Sequence, residues 1–145
     1  MVTVKCVKLR ENAVIPAYGS PGAAGCDLSA AIDEAVMIAP HQTVKIPTGL
    51  AMELPEGTFG AVYARSGIAT KEGLAPANKV GIIDCDYRGE IMVGLHNHGE
   101  EHRIVEPGQR IAQLIIQPYI TAIYEETNEL NSTDRGSCGF GSTGK

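Results

Sequence analysis

"RIAQLIIQ", residues 110–117, is apolar at Ile111, Ala112, Leu114, Ile115 and Ile116, with an amide, Gln113, in its middle. It follows the turn signal "EPGQ" (106–109). A nearly continuous apolar run after such a turn reads as a strand buried on both faces. Shorter runs surround it. Leu50, Met52 and Leu54 alternate with Ala51 and Glu53. Phe59, Ala61 and Tyr63 form one face of the next run, and Ile91, Val93 and Leu95 alternate with Met92, Gly94 and His96. "YGSPGAAG" (18–25) and "LPEGT" (54–58) punctuate the chain as turns. Many short strands at this spacing predict an all-β sandwich, jelly roll or barrel. Only "RSGIATKEG" (65–73) has a helical pattern, with Ser66 placed to cap it.

The chain has 145 residues, enough for one domain with a sizeable core. Acidic residues outnumber basic ones, 17 to 12, and no long basic run appears. A duplex nucleic-acid surface is therefore not expected, although a few placed arginines could still hold a small anion. No apolar run approaches the roughly 18 residues of a membrane span, and the N-terminus "MVTVKCVKLR" alternates like a strand rather than forming a signal-peptide core. Cys6, Cys26, Cys85 and Cys138 are widely spaced with no CxxC pair, which argues against a zinc site and a disulfide framework. The expected location is cytoplasmic.

Several segments carry chemistry. "GIIDCDYRGE" (81–90) sets Asp84 and Asp86 two apart beside Tyr87 and Arg88. If extended, the segment puts both carboxylates on one face, where they could bind Mg²⁺ or activate water. Otherwise it is a polar hairpin with solvated acids. "RSGIA" (65–69) places an arginine and a serine at a helix start, either an anion site or an ordinary cap. Asp27 follows a glycine turn and reads equally as a turn aspartate. Gln113, inside an apolar strand, requires a hydrogen-bond partner, structural or otherwise. "HNH" (96–98) suggests a metal, but no third ligand lies near in sequence, and a solvated turn is the simpler reading. The C-terminal "RGSCGFGSTGK" (135–145) has the glycines and hydroxyls of a phosphate cradle without the spacing or strand–loop–helix context of a P-loop NTPase.

Taken in order, "AGCDL" (24–28), "RSGIA" (65–69), "GIIDCDYRGE" (81–90), "GQRIAQL" (108–114) and "RGSCGFGSTG" (135–144) resemble the five motifs of the trimeric deoxyuridine triphosphate nucleotidohydrolases, the dUTPases. The resemblance covers essentially the whole chain. It implies a jelly-roll-like β-barrel with one short helix, as a single domain over residues 1–145 whose residues 133–145 form a flexible glycine-rich lid. It implies hydrolysis of dUTP to dUMP and pyrophosphate with Mg²⁺, which limits uracil in DNA and supplies dUMP for dTMP synthesis. Asp84 matches the catalytic aspartate that directs water at the α-phosphorus. Asp27 matches a residue holding the water shell of an Mg²⁺ ion carried mainly by the triphosphate. Arg65, Ser66, Gly67 and Gln113 match phosphate contacts.

By the same resemblance, Asn78, Gly81, Ile82, Ile83 and Met92 belong to the hairpin that holds the nucleoside. Tyr87 packs under the deoxyribose, where a 2′-hydroxyl would clash. The tail would close over a neighbouring subunit's site, with Phe140 on uracil and Arg135, Gly141, Ser142 and Thr143 at the phosphates. The implied assembly is a homotrimer with shared sites, and neither nucleic acid nor membrane is an expected partner. This chain has Cys138 where the family usually has glycine, and the added β-carbon restricts the lid's backbone. Cys26, Cys85 and Cys138 otherwise read as small fillers. Two alternatives share the fold. A dCTP deaminase would carry its general-base glutamate seven residues after Tyr87, where this chain has Gly94. A catalytically silent regulatory or structural trimer would need neither Asp84 nor the tail.

Overall fold

The computed structural model describes residues 2–139. Its strands are β1 (Lys5–Lys8), β2 (Cys26–Ser29), β3 (Val36–Ile38), β4 (Thr43–Pro47), β5 (Leu50–Glu53), β6 (Thr58–Tyr63), β7 (Leu74–Pro76), β8 (Val80–Ile83), β9 (Met92–Asn97), β10 (Arg103–Val105) and β11 (Arg110–Pro118). One helix, α1 (Ser66–Glu72), interrupts them. The chain is all-β, and every strand pairing is antiparallel. The ladders run β2-β11-β6-β8, β4-β9-β7, β1-β5 and β10-β3, so no continuous ladder closes a barrel among the described residues. The groups instead wrap one core. Leu28, Ile38, Ile46, Leu50, Leu74, Leu95 and Ile111, drawn from all four, are fully buried. Each such side chain contributes about 1.5–3 kcal/mol on leaving water.

The three expected turns form. Ala23 N–H donates to Ser20 O, Thr58 N–H to Pro55 O and Gln109 N–H to Glu106 O. Glycine is required at two of them: Gly57 and Gly108 sit at φ 73° and 74°, where a β-carbon would be strained. Val93 and Leu95 form the buried face of β9, continuing from buried Ile91 just before it, as their alternation predicts.

Three local expectations are corrected and one open alternative is resolved. Strand β11 is buried on both faces only in its first half, and from Ile115 onward it is half-buried or exposed. Ser66 does not cap α1: it is the first helical residue, the extended Arg65 is the N-cap, and no side chain caps it. Residues 84–87 are not extended. β8 ends at Ile83, and Tyr87 N–H bonds back to Asp84 O, so the segment is the polar hairpin, with exposed Asp84 opening a tight turn and exposed Asp86 within it. His96 lies in β9 rather than in a solvated turn, bonded to Thr43 Oγ1 at 2.9 Å. Its neighbour Asn97 is fully buried and organises the loop beyond it. It donates to Ile38 O and Glu101 O and accepts from Gly99 N–H.

Candidate active site

A cavity of about 670 Å³ opens beneath the turn between β8 and β9. Asn78, Ile82, Ile83, Asp84, Tyr87 and Met92 line it, with Thr43, Lys45, Glu90, Ile91 and Gly94 completing the wall. Six residues singled out from sequence therefore share one concavity of small-molecule size. β8 is the last strand of its sheet, so one edge of it carries backbone donors and acceptors unclaimed by the ladder. Such an edge can read a planar heterocycle through main-chain hydrogen bonds. Gly81 makes room here, since a β-carbon on it would lie 3.3 Å from Asn78 Nδ2 and 3.2 Å from Val62 Cβ.

Two features fix the turn above the cavity. Tyr87 Oη donates to Glu90 O at 3.1 Å, and a β-carbon on Gly89 would meet Tyr87 Cζ at 2.6 Å, so only glycine lets the ring lie there. Arg88 Nη1 donates to Cys85 O at 2.7 Å. Asp84 is exposed at the rim. Tyr119, where the chain leaves β11, sits beside this turn. The Cys85 thiol holds its hydroxyl pKa above the ordinary value, with smaller contributions from burial and from the charges of Asp84 and Asp86.

A second constellation forms where β2, β11 and β6 run side by side. Gln113 lies opposite Asp27 on one flank and Tyr63 on the other. Asp27 Oδ1 accepts from Arg65 Nε at 2.7 Å, and Oδ2 accepts from Arg110 Nη1 at 3.0 Å. One carboxylate thus neutralises one of two guanidinium charges and leaves the cluster net positive. Gln113 Nε2 donates to Ala64 O at 2.8 Å, tying the segment before α1 to the sheet. Gly25 closes against it, since a β-carbon there would approach Gln113 Oε1 to 2.9 Å. Ser66 and Gly67 are exposed at the start of α1, whose first ladder bond is Ala69 N–H to Arg65 O. The amides ahead of Ala69 are left unclaimed by the helix ladder. Two arginines, free amides and a glutamine are the donor set of an anion site.

The two constellations share no lining residue, so a single chain does not bring Asp84 to Arg65 and Gln113 in one pocket. Among the described residues no three His, Cys, Asp or Glu side chains form a metal cage. Beyond β11 every residue from Tyr119 to Cys138 is exposed, including Ile120 at 94% and Ile123 at 97%. Arg135 folds back locally, its Nε donating to Cys138 O at 2.9 Å. Phe140, Gly141, Ser142 and Thr143 lie outside the described residues.

Sequence reasoning missed Arg110 and Glu90. Arg110 is three positions from Gln113, and strict alternation puts the two on opposite faces. A bulge between Arg110 and Ala112 shifts the register, so Arg110 pairs with Ser29, on the same face as Asp27. Glu90 takes its partners, Arg10 and the Gly49 amide, from 80 and 41 positions away, a distance that no local pattern announces.

A dUTPase family model matches residues 11–144. A deoxyuridine 5′-triphosphate nucleotidohydrolase of Desulfitobacterium hafniense is 50% identical over 146 aligned residues, covering 99% of this chain and 97% of that protein. The protein of the same name from Syntrophotalea carbinolica is 46% identical, over 99% of this chain and 97% of its own length. A solved structure of the Staphylococcus bacteriophage 80alpha dUTPase with dUPNHPP superposes with a TM-score of 0.86 at 28% identity, covering 100% of both chains. A mutant of the 80alpha phage dUTPase gives a TM-score of 0.89 at 29% identity, over 97% of this chain and 98% of that one. By sequence along nearly its whole length and by fold, this chain belongs to the dUTPase family.

Proposed function

We propose that this protein is a dUTP diphosphatase, hydrolysing dUTP to dUMP and pyrophosphate. The observation that carries the reading is the cavity beneath the β8–β9 turn, which joins an open strand edge, Asn78, Tyr87 and Asp84 in a chain of this family. The edge backbone at Ile82 and Ile83 and the Asn78 amide pair with the uracil edge. A mismatched base leaves buried donors or acceptors unpaired, which is how such a site rejects it. Tyr87 lies under the deoxyribose and leaves no room for a 2′-hydroxyl, while Gly81 and Met92 shape the remaining wall.

Asp84 orients a water and accepts its proton as the water oxygen bonds to the α-phosphorus. The bond from that phosphorus to the bridging oxygen breaks, and pyrophosphate leaves with the electron pair. A carboxylate is a weak base, so the gain comes from positioning and from stabilising the leaving charge. Arg65, Gln113 and the Ser66 and Gly67 amides supply that stabilisation, with Asp27 holding Arg65 in place. The donor set fits the triphosphate, which would itself carry an Mg²⁺ ion, and Asp27 is the residue that would face the ion's water shell. When bound, the ion neutralises phosphate charge.

The separation of the two constellations supports a site completed between chains, in a homotrimer. The exposed Ile120, Ile123, Tyr124 and Leu130 support it too, because apolar surface of this extent calls for a partner. Residues 133–145 act as the lid, with Arg135, Gly141, Ser142 and Thr143 at the phosphates and Phe140 on the base. The physiological reading is a cytoplasmic enzyme that keeps uracil out of DNA and supplies dUMP for dTMP synthesis. Pyrophosphate release from dUTP, UTP, dTTP and dCTP, with and without Mg²⁺, tests the whole. Strong preference for dUTP with Mg²⁺ is expected. Ammonia from dCTP, or no turnover of any nucleotide, contradicts it.

A further inference from the structure

We propose that Glu90 is a positioning residue for sugar discrimination, clamping the Tyr87 ring from the N-terminal segment. This rests on the reading of Tyr87 as the deoxyribose contact. The Tyr87 hydroxyl is held by the main-chain carbonyl of Glu90, so the ring is placed only as well as Glu90 itself is placed. Glu90 is in turn fixed through its side chain. Its Oε1 accepts from Arg10 Nε at 3.0 Å and from Gly49 N–H at 2.9 Å.

Gly49 is a rigid anchor. Its φ is 68°, and a β-carbon would meet Ala13 Cβ at 2.7 Å and Arg10 Cβ at 3.1 Å. Its carbonyl accepts from Leu9 N–H at 2.7 Å, which ties the same node to the N-terminal segment. The next residue joins the clamp, since Ile91 N–H donates to Leu50 O and Ile91 O accepts from Thr48 N–H and Thr48 Oγ1. The Glu90 side chain is 22% exposed and the Arg10 side chain 44%, so the pair is partly shielded from solvent. The carboxylate raises the Arg10 pKa, chiefly through the hydrogen bond. Glu90 and Ile91 form part of the cavity wall, while Arg10 and Gly49 are not among its lining residues. The clamp acts by denying Tyr87 the freedom to move aside for a ribose.

The test is the ratio of kcat/KM for dUTP over UTP, measured in full-length protein beside thermal stability. Glu90→Ala should lower that ratio on the order of tenfold, the size of one lost charge-assisted hydrogen bond. Glu90→Gln keeps an acceptor for Gly49 and should lower it less. If Glu90→Ala does not fold, Arg10→Met carries the test, removing the charged partner from the exposed end. Tyr87→Phe should lower the ratio by a similar factor. The double variant Tyr87→Phe/Glu90→Ala should then fall no further than either single change, because both break one linkage. Fully additive effects, or an unchanged ratio in Glu90→Ala where Tyr87→Ala lowers it, would overturn the clamp. If Tyr87→Ala leaves the ratio unchanged, it is the reading of Tyr87 itself that fails.

Discussion

Asp27 and Arg65, 38 positions apart, meet at 2.7 Å with about a quarter of each side chain exposed. The geometry is partly buried and charge-assisted, and Arg110 engages the second carboxylate oxygen. Asp27→Asn leaves two guanidinium groups facing each other without a counter-charge. It should cost about 1–2 kcal/mol of stability by denaturant unfolding. Because Arg65 loses its orientation, KM for dUTP should rise and kcat should fall. Unchanged kinetics in a destabilised variant would reduce Asp27 to a structural role.

Asn97 is fully buried at the end of β9. Its loss strands the buried carbonyl of Ile38 and leaves the partly buried Glu101 carbonyl and Gly99 amide without their partner. Asn97→Ala should destabilise by about 2–4 kcal/mol, lowering Tm by roughly 10 °C. Turnover per folded molecule should stay near that of the unaltered chain, since Asn97 lies outside both constellations. A variant that keeps its Tm would show that these hydrogen bonds are replaced by water.

The strand plan was legible in the sequence because apolar alternation and turn residues are local, and the β9 face and the turns at Gly57 and Gly108 follow directly from them. Asp84 stood out by its pairing with Asp86 beside Tyr87, but the roles expected of Asp84, Tyr87 and Asn78 came only through motif resemblance, since nothing in their spacing says that β8 is an edge strand above a cavity. Arg110 escaped because a bulge breaks the alternation on which face assignment depends. The Arg10–Glu90 clamp escaped because chain-distant ion pairs leave no local trace. The Ser66 cap misled because serine before a helical run is also at home as the first helical residue.

The thiols should separate by environment. Burial raises the Cys26 pKa above its usual value of 9.0, and that of Cys6 likewise. At pH 8 an alkylating agent should therefore modify exposed Cys138 first and buried Cys26 last. The raised values also have a stability consequence. The native state holds its thiol protons longer than the unfolded chain does. The contribution is intact below pH 9 and declines as pH rises through the folded-state pKa. Fast labelling of Cys26 in folded protein would contradict the burial argument.

Sharing of the site between chains has its own signature. Asp84→Asn and Arg65→Ala chains should each be inactive alone. Co-refolded as mixed oligomers, they should recover activity at about a quarter of the sites, those drawing an intact half from each parent. No recovery in verified mixed oligomers would place both halves of the site in one chain.

The central claim is that Asp84 takes the proton of the attacking water, and Asp84→Asn tests it most directly. Pyrophosphate release from dUTP with Mg²⁺ is measured beside calorimetric binding of a non-hydrolysable dUTP analogue. An amide is no base, so turnover should fall by about 10²–10⁴-fold, while the analogue binds within a few-fold of its affinity for the unaltered protein. Turnover within a few-fold of the unaltered protein, with binding intact, would contradict the assignment of Asp84 and the mechanism built on it.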